Sequence, residues 1–207
     1  MLLRNATVWN DSYEAVRAGI VIKDGRIARI VPGENDQEDG LDLRGHTIIP
    51  GFIDLHIHGS AGADTCDASP EAFQTISSYL SSQGVTSFCA TTMTTSSIDI
   101  EHTMSEIHKA RNMSLSGARL CGAHFEGPFL AAEKCGAQNE KYIMEPDIRY
   151  FERLLESYPG TIKIVDIAPE TNGAMDFIQK IASRCTVSLS HSAASYETAR
   201  EAIAAGI

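Results

Sequence analysis

The sequence has few basic residues and no long apolar run, and each shortage excludes a class of function. Lys and Arg together number 17 against 27 Asp and Glu, which gives a formal net charge of -10. Because nucleic-acid binding depends on a clustered basic surface, the sequence predicts no nucleic-acid partner. A membrane-spanning helix needs about 18 or more consecutive apolar residues, and the sequence has no such run, so it also predicts no membrane partner.

Cysteines are scarce as well, and no two of them form a C-x-x-C motif. The five cysteines are Cys66, Cys89, Cys121, Cys135 and Cys185. An odd number of well-separated cysteines without a C-x-x-C pair favours a reducing environment over a disulfide framework, so we expect a cytoplasmic protein. Cys89 and Cys121 lie inside apolar runs, where we expect each thiol to be a small buried hydrophobic group.

Residues 1–50 have the pattern of a small β domain. Short apolar runs alternate with polar residues, and Asp24-Gly25 separates two of these runs. Asp-Gly at this position predicts a tight hairpin, because both central residues of such a turn need a positive φ. A polar, acidic loop is expected between Pro32 and Gly40. We expect a β-sandwich region whose later strands are missing.

From Gly51 onward, short strand patterns alternate with helical patterns. Candidate strands lie at 52–58, 85–91, 119–126, 161–168 and 186–191, and candidate helices at 70–83, 98–112, 147–158, 173–184 and 196–205. Five successive βα units predict an α/β fold with parallel strands, namely a partial (β/α)8 TIM-type barrel. A complete barrel needs eight units, so we expect residues 51–207 to be the N-terminal part of a longer barrel.

The first motif with chemical content is PGFIDLHIHG, which carries His56 and His58. Alternate residues of a strand point to the same face, so both imidazoles are expected to project together at the carboxyl end of the first barrel strand. Active sites of barrels lie at that end, where two neutral imidazoles can share a metal ion. The alternative is a pair of histidines that end a strand without a function, because H-x-H is common.

The second motif is GAHFEGPFL, in which Glu126 ends an apolar strand before a Gly-Pro break. A buried, unpaired carboxylate costs several kcal/mol, so Glu126 is expected to contact a cation or a set of hydrogen-bond donors. His124 shares a face with Glu126 but lies deeper, and we expect it to support the site rather than to bind metal.

The third motif is SLSHSAAS, in which His191 ends another apolar strand. A single histidine at a strand end is more often structural than a ligand. However, strand ends of a barrel meet in space, and His56, Glu126 and His191 occupy corresponding positions on three strands. We therefore expect these side chains to converge on a common centre.

Together these motifs resemble the amidohydrolase superfamily, and within it the N-acetylglucosamine-6-phosphate deacetylases. The motifs PGFIDLHIHG, GAHFEGPFL, IAPE and SLSHSAAS fall in family order across nearly all 207 residues. Relatives such as dihydroorotase use a carboxylated lysine on the fourth strand as a metal bridge. Here that strand ends at Glu170 without a lysine, Lys163 lies too early, and Glu126 takes the place of the lysine.

The resemblance implies the roles of individual residues. Glu126 and His191 correspond to ligands of the main metal, and His56 and His58 to ligands of a second metal position. The cofactor would be one or two divalent ions, zinc or else iron, cobalt or manganese. Ala137 and Gln138 correspond to substrate-contacting positions, although some relatives have histidine in place of Gln138.

The implied reaction is hydrolysis of N-acetylglucosamine 6-phosphate to glucosamine 6-phosphate and acetate. The small-molecule partner would be this amino-sugar phosphate, and the full-length protein would be a homodimer. The acid–base aspartate of the family falls beyond Ile207, so no catalytic residue is assigned within the chain and we expect the fragment to be inactive. Two alternatives stay open: an amidohydrolase acting on a cyclic amide or amidine, and a metal-binding relative without catalysis.

Overall fold

The structure is a computed structural model that describes residues 1–33 and 39–207. The chain divides into two compact units, Met1–Gly51 and Phe52–Ile207. Most of the polar loop predicted between Pro32 and Gly40 lies outside the described residues. No helix in the described part of the chain combines the length and the apolar character needed to span a bilayer.

The first unit is a four-stranded sheet with the strand order β3-β2-β1-β4. Its strands are β1 Leu2–Trp9, β2 Ala15–Lys23, β3 Arg26–Pro32 and β4 Leu41–Asp42. The predicted hairpin is confirmed: β2 and β3 are antiparallel, and Asp24 and Gly25 connect them with φ values of 52° and 70°. Both values lie in the left-handed region that this turn requires.

The second unit contains a curled, five-stranded sheet with the strand order β11-β10-β9-β8-β5, in which neighbouring strands are parallel. The strands are β5 Phe52–Ile57, β8 Val85–Thr91, β9 Arg119–Phe125, β10 Ile162–Ile167 and β11 Thr186–Leu189. A short hairpin of β6 Gly59–Ser60 and β7 Ala63–Asp64 follows β5. Because sequential strands are neighbours throughout, all five carboxyl ends meet at one edge of the sheet.

A helix follows each strand of this sheet, as the apolar spacing predicts. The helices are α1 Pro70–Ser82, α2 Ser97–Ala110, α3 Ile148–Ser157, α4 Ala174–Ile181 and α5 Tyr196–Ala205. The Ser69 side chain accepts a hydrogen bond from the Ala72 amide and begins α1, with Pro70 at the first helical position. Such a cap satisfies one of the unpaired amides of the first turn.

An aromatic cluster packs against β9 directly beneath the carboxyl end of the sheet. Its members are fully buried phenylalanines on a strand, a loop and two helices: Phe125, Phe129, Phe151 and Phe177. Their ring centroids lie 5.1–6.2 Å apart in tilted or edge-on arrangements. Phe125 and Phe129 flank the Glu126-Gly127-Pro128 turn, so the cluster fixes the backbone on both sides of Glu126.

Four of the five barrel strands end one or two residues earlier than the sequence predicts, the first at Ile57 and the fourth at Ile167, and for the other two the backbone gives the reason. The third barrel strand ends at Phe125 and not at Glu126, and the fifth ends at Leu189 and not at His191. The backbone explains both differences, because Gly127 has φ +73° and His191 has φ +45°. A residue in the left-handed region leaves the extended conformation, and the ladder stops before it.

Candidate metal centre

Three imidazoles converge on the carboxylate of Glu126 at the carboxyl edge of the sheet. His191 Nε2 lies 2.8 Å from Glu126 Oε1, whereas the Nε2 atoms of His58 and His56 lie 2.9 and 3.4 Å from Oε2. One ligand atom from each of His56, His58 and Glu126 falls within 4.8 Å of the others. The structure thus brings together the four side chains that the sequence singled out as metal ligands.

An irregularity in β5 contributes to the placement of His56 and His58. The pairing of β5 with β8 shifts register between Asp54 and Ile57, which is the behaviour of a bulge. The Asp54 carboxylate accepts a hydrogen bond from the His56 amide within this irregular segment. Bulges next to functional sites redirect side chains, and here both imidazoles reach one carboxylate oxygen.

Glu126 is held in place by its backbone as well as by its neighbours. The side chain is 4% exposed, and its amide donates to the buried hydroxyl of Thr92. Gly127 follows with φ +73°, and any Cβ added there would overlap Thr94 Oγ1. The chain can therefore turn sharply after the carboxylate only because residue 127 has no side chain.

His191 is held by main-chain contacts to the loop after β9. Its Nδ1 donates to the carbonyl of Lys134 at 2.8 Å, and its own carbonyl accepts from the Ala131 amide at 3.0 Å. Because a carbonyl only accepts, Nδ1 carries a proton, and in the neutral imidazole Nε2 keeps its lone pair toward Glu126. A hydrogen bond of this kind to the distal nitrogen is typical of histidine ligands.

The donor set fits a divalent cation. Glu126 Oε2 is buried, and the imidazole Nε2 atoms of His58 and His56 face it at 2.9 and 3.4 Å. A neutral His191 would point its Nε2 lone pair at Glu126 Oε1 from 2.8 Å, an arrangement that a metal ion or a proton between the two atoms stabilises. Imidazole and carboxylate together suit zinc, iron, cobalt or manganese.

The charges around Glu126 favour its ionised form. Burial opposes the negative charge, but the nearby imidazoles of His58 and His191 outweigh burial and hold the pKa of this carboxyl below its usual range. The same contact raises the pKa of His58. Burial lowers the pKa of His56 in spite of the adjacent carboxylate. An anionic carboxylate beside a neutral imidazole is the state that binds metal.

A second buried contact lies behind this centre and was not predicted. His124 Nε2 lies 3.0 Å from Asp166 Oδ1, and these side chains are 7% and 2% exposed. The supporting role expected for His124 accords with this position. Asp166 is the next-to-last residue of β10, and an acidic residue near the end of a largely apolar strand is the same signal that pointed to Glu126.

The two predicted substrate-contacting positions differ in their surroundings. Ala137 is exposed, next to Gly136, whose added Cβ would lie 3.3 Å from His191 Cε1. Gln138 is 6% exposed, and its Oε1 accepts a hydrogen bond from the Thr94 amide. The Gln138 amide thus ties its loop to the turn after β8, and substrate contact by either residue stays a prediction.

The fourth barrel strand supplies a carboxylate and no lysine at its carboxyl end. Glu170 accepts hydrogen bonds from the Ser192 hydroxyl and the Ala193 amide, and so links the ends of β10 and β11 next to His191. Lys163 lies at the start of β10, where its side chain packs against Gly122. The position of Lys163 therefore excludes it as a metal bridge at the carboxyl edge.

Comparison with known proteins identifies the family. The sequence profile of the amidohydrolase family matches residues 47–207. This chain belongs to the amidohydrolase family. It is 36% identical over 208 residues to an N-acetylglucosamine-6-phosphate deacetylase of Lysinibacillus sphaericus, covering 100% of this chain and 54% of that protein. It is 32% identical over 214 residues to the Bacillus subtilis deacetylase of the same name, with the same coverage.

The similarity extends to three dimensions. An N-acetyl-D-glucosamine-6-phosphate deacetylase mutant from Mycobacterium smegmatis, solved in complex with N-acetyl-D-glucosamine-6-phosphate, superposes with a TM-score of 0.91 at 28% identity. That match covers 100% of this chain and 53% of the other. It confirms the predicted TIM-type barrel fold. The amidohydrolase family is metal-dependent, which agrees with the His and Glu cluster. The chain spans about half the length of the curated relatives it matches.

Proposed function

We propose that this chain forms the metal-binding half of a deacetylase that hydrolyses N-acetylglucosamine 6-phosphate to glucosamine 6-phosphate and acetate. The observation that carries the proposal is the convergence of His56, His58 and His191 on the buried carboxylate of Glu126. Full coverage of this chain by relatives named for this reaction supports the choice of substrate.

Glu126 and His191 would hold the main metal ion, and His56 and His58 would extend the site to a second ion. When bound, a divalent metal polarises an amide carbonyl and activates water at neutral pH. Glu126 supplies the negative charge that retains the ion, and its burial keeps competing water from the carboxylate. The main-chain contacts of His191 hold its Nε2 lone pair toward Glu126, so the ligand is pre-oriented before metal arrives.

Departure of the amine requires an acid that protonates the nitrogen. We propose that this acid belongs to the half of the relatives' length that this chain does not match. The sugar phosphate would then lie over the exposed Ala137, at the rim formed by the loop after β9. On this proposal the chain binds metal but needs a complementary half for turnover.

Two measurements test the proposal. Elemental analysis of the chain should find a divalent metal near stoichiometry, and Glu126→Ala and His191→Ala should each lose it. A chimera in which this chain replaces the matching part of the Lysinibacillus sphaericus deacetylase should release acetate from N-acetylglucosamine 6-phosphate, and Glu126→Ala in the chimera should abolish release. A metal-loaded, folded chimera that hydrolyses a cyclic amide instead would favour another amidohydrolase activity. One that hydrolyses neither would favour a non-catalytic metal-binding relative.

A further inference from the structure

The buried contact between His124 and Asp166 lies beside the proposed metal centre and has no role in the mechanism above. Both residues are buried, side chain and backbone together. Asp166 Oδ1 and His124 Nε2 lie 3.0 Å apart. The other buried residues of β10 are apolar, among them Val165 and Ile167. A carboxylate at this depth therefore needs an explanation.

Stability alone does not provide one. Removing a charged pair from water costs several kcal/mol per ion, and well-packed apolar residues of similar volume are often at least as stable. A buried polar pair of this kind is more readily explained by what it orients than by what it adds to the core.

His124 makes two further contacts, and both lead to His56. Its Nδ1 donates a hydrogen bond to the carbonyl of Leu55 at 2.8 Å. Its ring packs edge-on against the ring of His56, with 4.7 Å between centroids. Leu55 directly precedes His56, so His124 contacts this part of β5 through both the backbone and the side chain.

β5 is weakly held at this point by its own sheet. It is an outer strand of the described sheet, with β8 as its partner. Its pairing with β8 shifts register between Asp54 and Ile57, so Leu55 and His56 fall inside the irregularity. The hydrogen bond from His124 therefore supplies an anchor that the strand ladder does not give to this segment.

We propose that Asp166 is a positioning residue that acts through His124 to fix His56, and thereby sets the affinity of the metal position formed with His58. The inference rests on the proposed function for the identity of that position. Asp166 holds the orientation of the His124 ring, and the ring holds the Leu55 carbonyl and the His56 imidazole. On this proposal Asp166 and His124 do not bind the metal themselves, although one ligand atom from each of them and from His56 also lies within 4.8 Å of the others.

The test is a double-mutant cycle of Asp166→Asn and His124→Asn in the full 207-residue chain, read by zinc titration. Asp166→Asn removes the negative charge and His124→Asn removes the imidazole, while each variant keeps a polar side chain. We expect the zinc equivalent that depends on His56 to bind about 10- to 100-fold more weakly in either variant. The zinc ion that depends on Glu126 and His191 should bind these variants as tightly as it binds the parent chain. If the pair acts as a unit, the double variant binds no more weakly than either single one.

His108→Asn is the matched control. His108 Nδ1 makes a side-chain contact with Thr161 Oγ1 at 2.7 Å, so this variant also removes a histidine from a part-buried polar pair. Zinc binding should be unchanged in this control. Thermal unfolding of all variants separates loss of affinity from loss of fold.

A second measurement does not need metal. Side-chain NMR of the metal-free chain should show the ring signals of His56 shifted in Asp166→Asn and unshifted in His108→Asn. Unchanged His56 signals in Asp166→Asn would overturn the inference, as would unchanged zinc affinity. A further zinc ion that binds the parent chain and is lost only in His124→Asn would also overturn the inference, because it would indicate that His124 binds zinc directly. If the parent chain bound no zinc at all, the proposed function would lose support, while the NMR comparison would still decide this inference.

Discussion

Gly136 lies against the imidazole of His191: a Cβ built on this glycine falls 3.3 Å from Cε1 and 3.6 Å from Nδ1. Gly136 also has φ +59°, a conformation that glycine adopts without strain. The loop after β9 therefore leaves little room for a side chain at residue 136 beside His191, a proposed metal ligand. This proximity predicts a substitution that disturbs the metal centre without touching a ligand.

Gly136→Ala should lower metal affinity by about 10-fold, because the added methyl group pushes the His191 ring away from Glu126. It should also lower the free energy of unfolding by about 1–2 kcal/mol through the left-handed backbone. Gly25→Ala is the control, since Gly25 has φ +70° with open space around it. Zinc titration and urea denaturation should show the stability loss in both variants and the affinity loss in Gly136→Ala alone. Equal zinc affinities would contradict the prediction.

Gly127→Ala should be more damaging, because its Cβ overlaps Thr94 Oγ1 and its φ is +73°. We expect a loss of about 3 kcal/mol in the free energy of unfolding, from overpacking together with backbone strain. Removing the Thr94 hydroxyl relieves the overlap and leaves the strain. The double variant Gly127→Ala with Thr94→Ala should therefore lose at least about 1 kcal/mol less free energy of unfolding than the sum of the losses in the two single variants. If the losses of the two single variants add up to the loss of the double variant in urea denaturation, backbone strain alone explains the effect of Gly127→Ala.

The convergence of the four side chains of the candidate metal centre could be predicted from the sequence, because it depends on two local rules; their role as metal ligands stays a prediction. Alternation along a strand puts His56 and His58 on one side, and parallel order brings the ends of β5, β9 and β11 to one edge. The structure places the imidazoles within 2.8–3.4 Å of Glu126, as these rules require.

Features that depend on distant contacts were not predictable in the same way. The contact between His124 and Asp166 depends on the register of β9 and β10, which shifts between Ile162 and Ile164. The burial of Gln138 depends on a hydrogen bond to Thr94, 44 residues away. Neither a residue pattern nor a strand period contains this information.

Three thiols should resist alkylation in the folded chain. Burial raises the pKa from 9.0 to about 11 for each of Cys66, Cys89 and Cys185. The folded state thus favours the neutral thiol. The contribution of these neutral thiols to the free energy of unfolding is fully present below pH 9 and is lost as the pH rises through 11. The predicted burial of Cys89 is confirmed, with 3% exposure, whereas the predicted burial of Cys121 is wrong, since this side chain is only half-buried.

Iodoacetamide at pH 8, followed by mass spectrometry, measures this effect. Because only the thiolate reacts, we expect these three thiols to react about 100-fold more slowly in the folded chain than in urea. Raising the pH toward 10 should speed the folded reaction about tenfold for each pH unit. Equal rates in the folded and unfolded chain at pH 8 would contradict the assigned pKa direction.

The outer strand β5 predicts self-association of the isolated chain. Phe52, Ile53 and Leu55 are 59%, 66% and 55% exposed, so this strand presents apolar side chains beside an unpaired strand edge. Edges of this kind pair with other chains unless a charge or a covering element blocks them. We expect light scattering to show dimers or larger species whose mass rises with concentration.

Ile53→Lys should reduce this association, because a charge on an outer strand disfavours edge pairing. Ile98→Lys is the matched control, since Ile98 is 78% exposed but lies on α2, away from the strand edge. The control should associate like the parent chain. A monodisperse monomer for the parent would refute the prediction, and an equal reduction by both variants would assign it to general hydrophobicity and not to the β5 edge. The homodimer implied by the family resemblance is a separate prediction, because it concerns the full-length protein.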